Sequence, residues 1–376
     1  MALKAVLVSQ VPNLDQVAEV PSAIRQGFAI GNQIPRTPKF LVIGHRGNGM
    51  NKLQSSDPRM SAIKENSILS FNAASKFPVD FFEFDVQVTM DGVPVIFHDD
   101  FIMTRHNGDV IEKRMTDLSL VEFLQYGPQR DCDRSGKSLL RKTKDGKMME
   151  WNVDADDALC TLQETFQQVQ PGLGFNIELK FDDYITYQQQ HIACTLSTII
   201  QVVFEYAQDR PIIFSTFHPD AARLVRQMQD TYPVYFLTNG GSEIYEDVRR
   251  NSLEEALKLC LECGLQGIVS EAKAVFRNPM LVKTIKECSL SLLTYGSLNN
   301  VVEAVYMQHL MGVEGVIVDF VEEICEAVGD LISHSSVCDE GLGLCTEQMQ
   351  LAGRKPQFSE REISFLFRLI PELIQL

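Results

Sequence analysis

From Phe40 to Ile332 the chain alternates short apolar runs with amphipathic segments of helical spacing, and this alternation restricts the fold more than any other feature. The apolar runs occupy residues 40–45, 81–88, 174–180, 211–217, 234–239, 267–272, 290–296 and 314–320. Helical spacing fills 65–77, 160–169, 193–207, 220–232, 252–264, 279–289 and 300–312, and VEEICEAVGDLI (321–332) closes the series. Strand–helix alternation predicts a parallel sheet covered by helices. Eight such units over about 300 residues fit a closed (β/α)8 TIM barrel. An open doubly wound sheet is the alternative, but no glycine-rich nucleotide turn supports it.

Residues 100–158 break the rhythm. Gly108, Gly127-Pro128, Gly136 and KTKDGK (142–147) read as loop, with one short helix in MTDLSLVEFL (115–124). We read this stretch as a small insertion after the second strand. Residues 1–39 have little periodicity and form an arm or a transit segment, although Asp15 and Glu19 are unusual in a transit peptide. The barrel spans 40–335. Residues 336–376 read as a linker and an amphipathic helix, the latter opened by a capping box at Ser359 and Glu362.

Charge and composition exclude several functions. The net charge is −16 with no basic block, which argues against nucleic acid and anionic membranes as partners. No apolar run reaches transmembrane length. The nine cysteines are scattered. Cys260 and Cys263 form the one CxxC pair, in a helical pattern, and read as packing rather than zinc or redox chemistry. Reduced thiols fit an intracellular compartment, plastid or cytosol, which the sequence leaves open together with the oligomeric state.

Chemistry in such a barrel gathers at the C-terminal ends of the strands. There the first strand offers His45 and Arg46. In the second, side-chain alternation puts Glu83, Asp85 and Gln87 on one face and Phe82, Phe84 and Val86 on the other. Its continuation, turning at Met90-Asp91-Gly92, ends in His98-Asp99. The third strand puts Asn176, Glu178 and Lys180 on one face. Three inward carboxylates form an oxygen site for a hard cation, Mg2+ or Ca2+. Two histidines beside it suit general acid and base work near neutral pH. Arg46 and Lys180 supply charge for an oxyanion, most simply a phosphate. Each residue has a plainer reading too: Glu178 and Lys180 as an ion pair, Arg46 as the counter-charge of Glu65 or Asp85.

The ordered set His45-Arg46-Gly47, Glu65-Asn66-Ser67, Glu83-Phe84-Asp85-Val86, Thr89-x-Asp91-Gly92, His98-Asp99 and Ile177-Glu178-Leu179-Lys180 resembles the signature of glycerophosphodiester phosphodiesterases, and of their plant members in particular. The resemblance covers about residues 40–335. It implies a (β/α)8 barrel with an insertion after the second strand. It also implies hydrolysis of glycerophosphocholine, glycerophosphoethanolamine and similar diesters to sn-glycerol 3-phosphate and an alcohol. By motif, His45 and His98 would be the acid/base pair. Glu83, Asp85 and Glu178 would hold the metal, with Mg2+ preferred to Ca2+. Arg46 and Lys180 would contact substrate, with Glu65 and Asn66 in support. The attacker would be water or the substrate's own 2-hydroxyl. Three positions depart from the family pattern: Lys64 where proline is usual, a residue near Tyr295 where tryptophan is frequent, and Val318 before Asp319 where threonine is frequent. The first is expected to affect mainly the loop backbone, the other two to alter the grip on the glycerol or the leaving alcohol. Other readings are a related barrel hydrolase acting on lysophospholipids or phosphoinositides, and a non-catalytic binding member of the family.

Overall fold

A computed structural model describes residues 39–337 apart from 132, 134 and 144, with side chains described as far as residue 329. The expectations for the N-terminal arm and the C-terminal helix lie outside these residues. The described residues contain thirteen strands: β1 (Leu41–Gly44), β2 (Phe81–Val88), β3 (Pro94–Ile96), β4 (Phe101–His106), β5 (Asp109–Arg114), β6 (Leu140–Lys142), β7 (Met148–Glu150), β8 (Gly174–Leu179), β9 (Ile212–Thr216), β10 (Val234–Thr238), β11 (Gly267–Glu271), β12 (Ser291–Tyr295) and β13 (Gly315–Val318).

The barrel strands run β1-β13-β12-β11-β10-β9-β8-β2, and the β1–β2 pairing closes the ring. All eight neighbour pairs are parallel. This is the closed (β/α)8 barrel expected from the alternation. The longest seam is β2–β8, in register from Phe81 opposite Gly174 to Val86 opposite Leu179. Period-two alternation explains why it forms. Phe82, Phe84, Val86, Phe175, Ile177 and Leu179 point outward into the layer beneath the helices. There Phe84 meets Phe71 at 5.4 Å and Phe175 at 5.0 Å between ring centroids. The opposite faces carry buried Glu83, Asp85, Gln87 and Asn176. Elsewhere the barrel interior is filled by Ile43, Ile213, Tyr235, Leu237, Val269, Leu293 and Ile317. The buried carboxylates of the inner face, Glu83 and Asp85, therefore lie on the β2–β8 side.

The helices fall where helical spacing put them, with shifted ends. In Gln189–Tyr206 the buried positions Ile192, Leu196, Ile199 and Val203 form one stripe. A helix at Ala272–Arg277 was not foreseen; six residues directly after β11 are too few to show a period. Cys260 lies buried in the helix Leu253–Cys263, and both it and Cys263 are free thiols.

The insertion differs from the loop that its composition suggests. Strand β3 returns antiparallel along β2. A four-stranded sheet of order β5-β4-β6-β7 follows. Its hairpin turns at Asn107-Gly108, both at positive φ (51° and 92°), as a tight two-residue turn requires. The sheet and two short helical turns enclose a separate apolar cluster that includes Phe97, Ile102, Phe123, Tyr126 and Trp151. Strands β6 and β7 are only three residues long and are joined by a charged turn, which hides this order from periodicity.

Candidate active site

Residues at the C-terminal end of the barrel build the site, starting with the loop after β1. His45 Nδ1 lies 2.7 Å from Asp319 Oδ1, just past β13, and its Nε2 is 3.8 Å from Glu83 Oε2. Asp319 is held in turn. Its Oδ2 accepts from Asn300 Nδ2 at 2.8 Å, and its Oδ1 accepts from the Met50 backbone N–H at 3.1 Å. The turn reaches this position only because Gly49 has φ +107°; a Cβ there would stand 2.4 Å from the Asp319 carbonyl oxygen. Burial alone would lower the His45 pKa, but the adjacent Asp319 carboxylate outweighs it and the net shift is upward.

Arg46 also adopts positive φ, 51°. Its backbone N–H donates to Glu83 Oε2 at 3.0 Å, and its Nη1 donates to Glu65 Oε1 at 2.7 Å. Its Nε lies 3.3 Å from Asp85 Oδ2. The counter-charge reading of Arg46 is thus visible in its contacts. Asn66 Nδ2 donates to the same Asp85 oxygen at 2.8 Å. Glu65 is fully enclosed. It accepts from Arg46 and, at 2.7 Å, from Arg141 Nη2, and also from the Asn51 backbone N–H. Burial would raise its pKa, yet Arg141 and Arg46 pull it down to about 2.

Glu83, Asp85 and Glu178 each direct a carboxylate oxygen into one space, and these oxygens lie within 4.8 Å of one another. Glu83 Oε1 and Asp85 Oδ1 are buried there without a hydrogen-bond partner among the described residues. Buried acceptors of this kind are costly unless something occupies the space between them. Burial and the neighbouring Asp85 carboxylate push Glu83 up to about 8. For Asp85 burial acts upward as well, but the positive surroundings of His98, Arg46 and Lys180 hold it well below the usual range. Lys180 Nζ donates to Glu178 Oε1 at 2.9 Å and stands 3.6 Å from Asp85 Oδ1. An all-carboxylate set with two unpartnered oxygens fits a divalent cation.

His98 enters from the loop after β3. Gln87 Nε2 fixes that loop by donating to the Phe97 and Asp99 carbonyls at 2.9 and 3.0 Å. His98 Nδ1 lies 2.7 Å from Asp99 Oδ1. Desolvation by the surrounding walls lowers its pKa, and the charges of Arg46 and Lys180 add to this. A cavity of about 290 Å³ opens beside it, lined by His98, Asp100, Phe101, Lys180, Phe181 and Asp183 among others.

All nine residues singled out in the sequence therefore lie at one barrel end. Three further groups complete the arrangement. Asp319 attracted notice only for the residue before it, although its place after the eighth strand was a usable signal. Asp99 stands in the sequence only as the neighbour of His98. Arg141, on β6, bonds both Asp99 and Glu65; nothing in the sequence marks it.

One of the three departures, Val318, lies elsewhere than expected. Val318 is 1% exposed and faces the helix layer, away from the mouth. Lys64 affects more than its loop: the side chain is buried, with Nζ 3.6 Å from the centroid of the Trp151 ring. Tyr295 does stand at the mouth, its hydroxyl bonded to Asn239 and its ring edge-on to Phe217.

Comparison with known proteins agrees with this geometry. Residues 45–323 match the model of the glycerophosphoryl diester phosphodiesterase family. The chain is 61% identical to the chloroplastic glycerophosphodiester phosphodiesterase GDPD1 of Arabidopsis thaliana and 57% identical to GDPD2 of the same plant, each over 376 residues and the full length of both proteins. A solved phosphodiesterase of Oleispira antarctica, bound to sn-glycerol-3-phosphate, shares the fold with a TM-score of 0.54 at 20% identity, over 77% of this chain and 96% of that one. The matched span starts at His45 and runs past Asp319, so it takes in every residue of the site just described, and the chain belongs to the glycerophosphoryl diester phosphodiesterase family.

Proposed function

We propose that this chain hydrolyses glycerophosphodiesters, glycerophosphocholine and glycerophosphoethanolamine among them, to sn-glycerol 3-phosphate and an alcohol. The single observation that carries the reading is a three-carboxylate cluster, two of its members buried, flanked by two carboxylate-backed histidines, in a chain of this family. Glu83, Asp85 and Glu178 would hold the cation. Mg2+ is preferred, because a compact set of three carboxylates leaves further positions for water and phosphate, as Mg2+ usually requires. When bound, the cation supplies Lewis-acid stabilisation of charge on the phosphate.

The chain's own residues carry the proton transfers. Asp319 and Asp99 each hold one imidazole by Nδ1, which leaves each Nε2 as the working nitrogen. One histidine takes the proton of the attacking hydroxyl, whether of water or of the substrate's glycerol. The other returns a proton to the leaving alkoxide, which departs poorly without one. Lys180 and Arg46 offset negative charge at the phosphate, and Glu65 and Asn66 fix Arg46 and Asp85 in place. In the same proposal residues 40–335 form the catalytic unit. The full-length likeness to a relative named as chloroplastic supports the plastid over the cytosol.

The test is release of glycerol 3-phosphate from glycerophosphocholine by purified protein, with Mg2+, with Ca2+ and with chelator, beside a Glu83→Ala control. Metal-dependent release that disappears in the variant is expected. Folded protein that releases nothing with either metal overturns the substrate, and lysophospholipids are then the next to assay.

A further inference from the structure

One residue of the insertion reaches the carboxylates behind both His98 and Arg46. Arg141 on β6 is mostly enclosed, its side chain 12% exposed. Its guanidinium makes two bonds to Asp99, from Nε at 2.9 Å and from Nη2 at 3.1 Å. Two more go to Glu65, from Nη2 at 2.7 Å and from Nη1 at 3.1 Å, and a fifth runs from Nη1 to the Asn51 carbonyl at 3.2 Å. Its plane lies 3.7 Å from the Trp151 ring centroid, and Trp151 Nε1 donates to Asn51 Oδ1 at 3.0 Å. Asp99 is the carboxylate behind His98, and Glu65 is the carboxylate behind Arg46.

We propose that Arg141 is a positioning residue, brought by the insertion, which sets His98 and Arg46 together by clamping Asp99 and Glu65 in one guanidinium fork. Its planar donors fit two carboxylates at once, which a lysine ammonium does not. Glu65 keeps Arg46 as a partner without Arg141, and Asp99 keeps His98, so each anion would retain charge compensation while losing its fixed direction. Arg141 would then govern turnover without itself touching substrate. The inference rests on the reading of the site as a glycerophosphodiester hydrolase.

The experiment compares the full chain with Arg141→Gln, Arg141→Lys, Asp99→Asn and the Arg141→Gln/Asp99→Asn double variant. Turnover of glycerophosphocholine with Mg2+, thermal unfolding and the ring 15N signals of His98 are measured for each. Arg141→Gln should lower kcat by roughly 10- to 100-fold with KM changed less than about threefold, since misdirection of an acid/base group costs turnover rather than binding. Arg141→Lys should recover stability but little of kcat. In the Asp99→Asn background the loss from Arg141→Gln should shrink several-fold, because both act through His98. The His98 ring signals should change in Arg141→Gln.

Equal losses in both backgrounds, or full kcat in Arg141→Lys, would overturn the proposal. A wild-type protein without turnover would instead refute the hydrolase reading. The His98 ring signals then decide for Arg141, and signals unchanged in both Arg141 variants reject it. If Arg141→Gln does not fold, Arg141→Lys and the ring signals carry the decision.

Discussion

Removing divalent metal should make the fold lose stability as the pH rises from about 5 to about 9, and Glu83→Gln should remove most of that loss. Glu83 is held up to about 8 in the folded chain, against 4.5 for an ordinary glutamate, by burial and by Asp85 beside it. Between those values the folded chain keeps a proton that the unfolded chain has released. Unfolding free energy therefore falls with rising pH, starting above 4.5 and levelling off above about 8. At about 1.4 kcal/mol per pH unit the ceiling is about 5 kcal/mol, and relaxation and water entry reduce this to about 2–3 kcal/mol. Asp85 does not cancel it. Its pKa is depressed, so its stabilising contribution is already complete well below pH 5. His45, raised by Asp319 against the effect of burial, loses its contribution as pH rises through its folded pKa, in the same direction as Glu83. Comparison with Glu83→Gln isolates the Glu83 share. Thermal unfolding in chelator at pH 5.5 and 8.5 measures it; the wild type should drop by roughly 3–5 °C more than the variant. Added Mg2+ should restore stability more at pH 8.5 than at pH 5.5, because the cation competes with the proton for the carboxylate. An equal drop in wild type and Glu83→Gln would refute the assignment of the buried proton to Glu83.

Three other outcomes follow from the geometry. His98→Ala should reduce kcat at least ~100-fold while the Tm gain on adding Mg2+ is kept; near-normal turnover would remove His98 from the proton transfers. Asp319→Asn removes the charge that raises His45 and keeps an oxygen within reach of Nδ1. The His45 limb of the kcat/KM profile should accordingly move to lower pH, with kcat down by about tenfold or more, and an unmoved limb would show that His45 does not titrate in that profile. Gly49→Ala forces a Cβ against the Asp319 carbonyl at positive φ. It should cost roughly 1–3 kcal/mol in denaturant unfolding and lower kcat through the displaced Asp319.

Barrel and carboxylate cluster were legible because both follow from period-two alternation within single strands. Glu83 and Asp85 share a face for the same reason that Phe82 and Phe84 share the other, and β8 repeats the pattern with Asn176 and Glu178. The groups behind the histidines are less local. Asp319 meets His45 across 274 residues, but barrel closure brings the first and last strands together, so its position was open to inference. Arg141 had no such support. Its partners are 42 and 76 residues away, and the contact depends on how a small sheet of short strands docks, which no periodicity in 100–158 reveals.

The same docking accounts for one departure from the family pattern. Lys64 and Arg141 both lie against Trp151, at 3.6 and 3.7 Å, so the residue replacing the usual proline belongs with the insertion rather than with the glycerol or alcohol. Val318 is turned away from the mouth altogether. Of the three departures only Tyr295 still faces the space where substrate would lie, on the far side of the barrel from the insertion: β12 is separated from β2 by β13 and β1 in one direction and by β8 to β11 in the other. Differences in substrate preference between this chain and the family pattern should therefore map to Tyr295 and its partner Asn239, whereas differences in turnover should map to Arg141 and the sheet that carries it.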